Sequence, residues 1–311
     1  MRILITGGTG NLASRLLVPL IRRGDDVTLL DVQESPESAI PELEKCRTVI
    51  GDLSVKDDFL ELVRDSRIES IFHMAAILSG DAEDDAERAW RVNMEGTRNV
   101  LEAARLFGVG RVVFTSTVAT FGAGLPEPVS VDAPQWPVSL YGATKVAGER
   151  LGVYYHHRFG IDFRCVRLAA VTAPRGAPGG ASGFCSLLYK ESVENGKYDF
   201  YLKPGTRAPI IYVEDAVRAL LDLHDAPSDA LTRRVYQVNG IKPSAEEMAA
   251  SVKSRLPHVE IGYKPDPVRD AIVHSWPKEL DASDATRDWG WESRYDLDQM
   301  TDAMIAALSG A

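Results

Sequence analysis

Apolar runs and helix-spaced segments alternate along the first half of the chain. "RILITG" is followed by "NLASRLLVPLIRRG", whose apolar positions recur at helical spacing. Then come "DVTLLDV", "CRTVIGDL", a polar helix "VKDDFLELVRD", the run "IESIFHMAA", the helix "AERAWRVNMEGTRNVLEAARLFG" and the run "RVVFTST". The runs are almost continuously apolar, as strands covered on both faces must be. Strand–helix alternation of this kind predicts an α/β fold, a Rossmann-like doubly wound parallel sheet with helices on both faces.

A Pro-rich loop, "GAGLPEPVSVDAPQWP", precedes a long helix expected from Leu140 to Phe159. "DFRCVRLAAV" reads as one further strand, and "TAPRGAPGGASG" as a loop. "IIYVEDAVRALLDLHDAP" returns to strand then helix. From Pro243 the pattern predicts two or three helices with Pro-broken links. The expected division is a dinucleotide domain over 1–170, with 206–240 returning to it. A smaller, discontinuous C-terminal substrate lobe takes 171–205 and 241–311.

Bulk properties exclude some classes. The 311 residues, 45% hydrophobic, are enough for a large core. A formal charge of −10 argues against a nucleic-acid partner, which would need a basic face. Cys46, Cys165 and Cys185 have no disulfide or metal spacing, so no metal site is expected and reduced cysteines are. No apolar run approaches about 20 residues, so no membrane span is expected. "MRILITGG" reads as a strand with no charged-then-apolar leader, which points to a cytoplasmic location.

The chemistry begins at "ITGGTGNLASRL". Gly7 and Gly10 allow a tight turn and close approach to a pyrophosphate, and Ala13 lets the helix lie near the sheet. The helix start, with Asn11 and Leu12, offers free N–H groups and a partial positive charge. Asp31 ends the second strand about 20 residues on, where a carboxylate binds adenosine ribose hydroxyls. It would repel a 2′-phosphate, so NAD is expected over NADP. Asp52 and Leu53 are expected to face the adenine.

"YGATK" places Tyr141 and Lys145 four apart, on one face of a helix. Tyrosine, with an ordinary pKa of about 10, is a poor base at neutral pH. A nearby ammonium favours the phenolate, so Lys145 is expected to lower the Tyr141 pKa and to hold the nicotinamide ribose. Upstream, "FTSTVATFG" ends a strand in hydroxyls. Thr117 ranks first to bond the reacting oxygen and Ser116 second.

In this order and spacing, "TGGTGNLA", "GDL", "HMAA", "FTSTVATFG" and "YGATK" resemble the extended short-chain dehydrogenase/reductase superfamily over residues 1–150. The resemblance implies bound NAD and hydride transfer at a hydroxyl-bearing carbon. It places Ala75 and Ala76 of "HMAA" against the cofactor. Asn93 of "VNMEGT" matches a family asparagine that supports the active-site helix, and is grouped with the cofactor set. Epimerases of the superfamily that act on nucleotide sugars carry an asparagine after the strand following the Tyr helix; "VRLAAVTAP" has none. "YYHHRFGIDFRCVR", "RAPIIYVEDAVRALLDLHDAP", "YKPDPVRDAIVHSWP" and "DASDATRDWGW" resemble the short-chain type of L-threonine 3-dehydrogenases. That likeness implies oxidation of a small β-hydroxy acid, L-threonine to 2-amino-3-ketobutyrate first. It puts Ser79, Ser116, Thr117, Tyr141, Ser182 and Arg207 on the substrate side. It also implies a homodimer through a four-helix interface of residues ~84–107 and ~141–158, for which Leu101, Ala104 and Leu106 are available.

There are departures. Leu168-Ala169-Ala170 stands where those enzymes have Tyr-Pro-Gly, and Ser182-Gly183-Phe184 where their loop has two threonines and an aspartate. "AAILSGDAE" and "FGAGLPE" also resemble D-erythronate dehydrogenases, so a polyol acid is the alternative substrate. The competing functions are a nucleotide-sugar epimerase or dehydratase that retains NAD, and an NAD-binding sensor without turnover. Trp276, Trp289 and Trp291 are expected to pack the lobe against the dinucleotide domain without touching substrate.

Overall fold

Residues 1–34, 41–176 and 180–310 are described in the computed structural model. The strands are β1 (Arg2–Thr6), β2 (Asp26–Asp31), β3 (Arg47–Ile50), β4 (Ser70–His73), β5 (Arg111–Thr117), β6 (Asp162–Leu168), β7 (Ala170–Thr172), β8 (Lys197–Phe200), β9 (Ile210–Tyr212), β10 (Val235–Gln237) and β11 (Glu260–Tyr263). Seven of them form one parallel sheet in the order β3-β2-β1-β4-β5-β6-β10. The apolar runs become its central strands: β4 is buried throughout, and β1, β5 and β6 are buried but for end residues. This is the doubly wound α/β arrangement expected from the alternation.

The helices are α1 (Asn11–Arg22), α2 (Lys56–Asp65), α3 (Ser79–Asp84), α4 (Ala86–Trp90), α5 (Gly96–Phe107), α6 (Leu140–Phe159), α7 (Phe184–Asn195), α8 (Val213–Asp225), α9 (Ala245–Arg255), α10 (Pro267–Ser275), α11 (Ser283–Trp289) and α12 (Leu297–Ser309). Leu16, Leu17 and Leu20 of α1 and Leu220 and Leu223 of α8 belong to one apolar cluster. Phe59 and Val63 of α2 and Val100 and Leu101 of α5 belong to a second. Strand order reverses between β1 and β4, which opens a crevice at the carboxyl ends of the strands.

The structure corrects the sequence reading in four places. "DFRCVRLAAV" is not one strand: β6 ends at Leu168, and β7 leaves the sheet to pair with β9. β8 and β11 form a separate parallel pair. Each has four residues, too few for period-two alternation to stand out. After Pro243 the chain holds four helices and β11, not two or three helices. The helix predicted over "AERAWRVNMEGTRNVLEAARLFG" is interrupted by a π-helical turn at Arg91–Glu95, between α4 and α5. Such turns are favoured where a helix must place a particular side chain.

Candidate active site

The cofactor end is built by glycine. Gly7 has φ +72, and a Cβ there would lie 2.9 Å from the main chain of Ala75. A Cβ on Gly8 would meet Leu29 at 2.7 Å. The turn is pinned by the Gly7 and Gly8 amides, which donate to the Leu30 carbonyl at 2.9 and 3.1 Å. Gly10 precedes α1 without a side-chain cap, so the first-turn amides of α1 have no side-chain acceptor. The Oδ1 of Asn11 is buried without a partner. A phosphate-bearing dinucleotide fits this cradle: its anionic group suits the helix start, and its hydroxyls can satisfy the orphaned acceptor. Asp31 accepts from the Thr9 amide at 3.0 Å, the Thr9 hydroxyl at 2.8 Å and the Val32 amide at 2.8 Å.

Beyond the cradle runs a cavity of about 420 Å³. Gly7, Gly10, Asn11, Leu12, Asp31, Asp52 and Leu53 line one part of it. Ala75, Ala76 and Ser79 follow. Ser116, Thr117, Tyr141, Lys145 and Ser182 line it too. The "APGG" part of the loop overlaps 177–179, outside the described residues.

Tyr141 stands in the first turn of α6. Ser139 caps that helix by accepting from the Gly142 amide at 3.1 Å. Gly142 lets α6 approach the 118–120 turn, since a Cβ would come within 2.2 Å of the Ala119 carbonyl. That contact sets Tyr141 and Thr117 in the wall of the same cavity. Lys145, one turn on, is buried; its Nζ donates to the Thr115 carbonyl at 2.8 Å. The ammonium lies 4.6 Å from the Phe114 ring centre and 5.7 Å from that of Tyr141.

The expected lowering of the Tyr141 pKa does not appear. Burial pushes the phenol up to about 12, with the Thr117 hydroxyl acting against it. Burial also pulls Lys145 down to about 8, with Cys165 and Glu149 acting against it. Desolvation dominates at both groups because both are removed from water.

Ser116 donates to the Oε1 of Glu149, which with Arg167 forms a fully buried ion pair. Its proton is therefore engaged, which leaves Thr117 as the hydroxyl next to Tyr141. Ser79 begins α3 rather than capping it, and its Oγ accepts from the Ala181 amide at 2.9 Å.

Two residues lie off the cavity they were expected to line, although Asn93 does support the active-site helix α6. Asn93 does not line the cavity. Its buried amide bonds the Ile77 N–H and carbonyl at 2.8 and 3.1 Å and the Thr144 hydroxyl at 3.1 Å. It therefore ties the cavity wall at Ile77 to α6. Arg207 also lies outside the cavity. Its exposed guanidinium pairs with Glu247 and the Lys242 carbonyl, because Glu247 closes the capping box of α9 beside it. Conversely, Trp276 does line the cavity, at the end of α10, against the expectation of packing alone. Nothing in a Trp-Pro dipeptide signals that. Trp291 is buried, donating to Asn239 Oδ1 at 3.0 Å, with Arg218 4.7 Å from its ring centre. Arg88 and Val92 line the cavity too and had no sequence signal.

This geometry accompanies clear kinship. L-threonine 3-dehydrogenase, mitochondrial, of Bos taurus is 35% identical over 308 residues, covering 98% of this chain and 82% of the relative. The solved structure of L-threonine dehydrogenase from Clostridium difficile superposes with a TM-score of 0.91 at 34% identity, covering 99% of this chain and 98% of that one. A partial consensus L-threonine 3-dehydrogenase gives a TM-score of 0.94 at 30% identity over the full length of both chains. The model of the NAD dependent epimerase/dehydratase family matches residues 3–239. The chain belongs to that family, as an NAD-dependent dehydrogenase of the extended short-chain type.

Proposed function

We propose that this protein oxidises the β-hydroxyl of a small hydroxy acid with NAD, and that L-threonine, giving 2-amino-3-ketobutyrate, is the first compound to test. The observation that carries the reading is the meeting of Tyr141, Thr117 and Lys145 on one cavity with the glycine cradle. In this reading Tyr141 takes the hydroxyl proton as general base. Thr117, in the same cavity wall as Tyr141, orients the reacting oxygen with its hydroxyl. Lys145 supplies positive charge as the phenolate forms and holds the nicotinamide ribose. Ser79 positions the neighbouring groups of the substrate. NAD held there would supply the hydride acceptor, so that the carbinol carbon becomes a ketone. Asp31 holds the adenosine ribose hydroxyls and disfavours NADP. The threonine reading is supported by the names of the relatives and by their coverage of nearly the whole chain.

Two finer points belong to the same proposal. The protein acts in the cytoplasm; among the described residues no helix is long and apolar enough to cross a membrane. It also works as a homodimer through the face of α4, α5 and α6. Leu101 and Ala104, expected at that face, are buried inside the protomer. Leu106, also expected there, is exposed, as are Trp90, Phe107, Tyr154 and Phe159 of these helices, and these apolar residues support it.

The test is Tyr141→Phe assayed by NADH formation. A general base contributes about 10²–10⁴-fold, so the variant should lose at least about a hundredfold in rate. Retention of more than a third of activity would overturn the assignment.

A further inference from the structure

This inference deepens the proposed oxidation and concerns the carbon next to the one oxidised. Tyr141 and Thr117 stand at the reacting end of the cavity, with Ser79, Ser182, Ala169 and Trp276 also in its wall. None of these six carries a charge. The cations on the cavity among the described residues are Lys145 and, on α4, Arg88. The carboxylates on the cavity among the described residues are Asp31, at the end of β2, and Asp52, just beyond β3, both in the adenosine part. Other acids lie near but on the far side of a wall. Asp81, Glu83, Asp84 and Asp266 line a separate cavity of about 290 Å³. The wall between the two includes Gly180, common to both, and the hydrogen bond from the Ala181 amide to Ser79.

An α-ammonium in this setting would leave water without a counter-ion and beside a lysine. Burying an unpaired charge is far costlier than burying a hydroxyl that finds a partner. For a hydroxyl the partners are there. Ser79 already accepts from Ala181, so its own proton is free to donate. Ser182 is half-buried, and its Oγ engages no protein group among the described residues; only its main-chain carbonyl is used, by Cys185. We infer that Ser182 selects a substrate with a hydroxyl, rather than an ammonium, beside the carbon that is oxidised: a 2,3-dihydroxy acid in preference to a 2-amino-3-hydroxy acid.

The experiment compares L-threonine with 2,3-dihydroxybutanoate of matched configuration, an exchange of ammonium for hydroxyl. The enzyme with NAD should show a kcat/KM at least about tenfold higher for the dihydroxy acid, since unpaired polar burial discriminates on this scale. Ser182→Asp, which supplies the missing counter-charge, should move the ratio at least about tenfold toward threonine. Ser182→Asn, similar in shape but neutral, should not. Equal or better use of threonine by the wild type overturns the inference and leaves the oxidation reading standing. An unchanged ratio in a folded Ser182→Asp protein removes Ser182 from the account. The wild-type comparison stands whether or not that variant folds. If neither compound is oxidised, the oxidation reading fails, and calorimetric titration of the enzyme–NADH complex decides this inference. Tighter binding of the dihydroxy acid supports it; equal binding, or none, overturns it.

Discussion

Lys145 donates to the main-chain carbonyl of Thr115 at 2.8 Å, which anchors its ammonium between the end of β5 and the first turns of α6. The anchor holds a charge in a site that disfavours charge. The folded pKa, about 8, lies below the ordinary value of 10.5. Below pH 8 the lysine is charged in both folded and unfolded chains, and the full cost of burying it is present. Between pH 8 and 10.5 the unfolded chain holds a proton that the folded one has released, so stability rises with pH. We predict that Lys145→Met is more stable than the wild type at pH 7 by about 1–3 kcal/mol, after allowing for the lost hydrogen bond. It should lose at least about a hundredfold in activity. Urea unfolding at pH 7 and at pH 10 checks this: the advantage should shrink at the higher pH. A less stable variant at pH 7 would contradict it.

His73 gives the opposite end of the pH scale. Its ring lies buried at the end of β4, with Nδ1 2.8 Å from the Thr6 hydroxyl and Nε2 2.9 Å from that of Thr97. Burial, with the nearby Lys145 charge second, pulls its pKa down to about 3. Folded protein therefore keeps the ring neutral while unfolded chain protonates it below pH 6.5. Its stability contribution is complete above pH 6.5 and falls as pH drops toward 3. From pH 7 to pH 4 the wild type should lose about 3 kcal/mol that His73→Gln does not. Equal acid sensitivity of the two proteins would rule this out.

Glu149 and Arg167 form a doubly hydrogen-bonded pair inside the protein, at 2.9 and 2.8 Å, and Glu149 also receives Ser116. Breaking such a pair strands the remaining charge. Arg167→Met should cost about 3–5 kcal/mol, and a second change, Glu149→Gln, should recover part of it. Denaturant melts of the single and double variants measure the coupling.

Asp31 is the acid that faces the adenosine end. Asp31→Ser should raise the KM for NAD by roughly tenfold and reduce discrimination against NADP, because the carboxylate's repulsion of a 2′-phosphate is gone. Steady-state rates with both cofactors test it. An unchanged preference for NAD would place selectivity elsewhere.

Much of this was legible because it is local. The β1–α1 turn needs glycine wherever it occurs, and Gly7 with φ +72 meets that need. The limits of α6 follow from Ser139 at one end and the left-handed Gly160 at the other. What escaped is set by distant partners. Trp276 reaches the cavity from far along the chain, at the end of α10. Arg207 is drawn away by Glu247, forty positions on, and β8 acquires its strand partner β11 from about sixty positions away. The Tyr141 pKa could not be read from a lysine four residues on, because burial is a property of the whole fold.

The most direct test follows NADH absorbance after mixing enzyme and NAD with L-threonine or 2,3-dihydroxybutanoate, for the wild type and Tyr141→Phe. The account predicts steady NADH formation by the wild type with at least one of the two acids, and a loss of at least about a hundredfold in the variant. NADH formation that survives the loss of the Tyr141 hydroxyl, or no NADH from either acid, would contradict it.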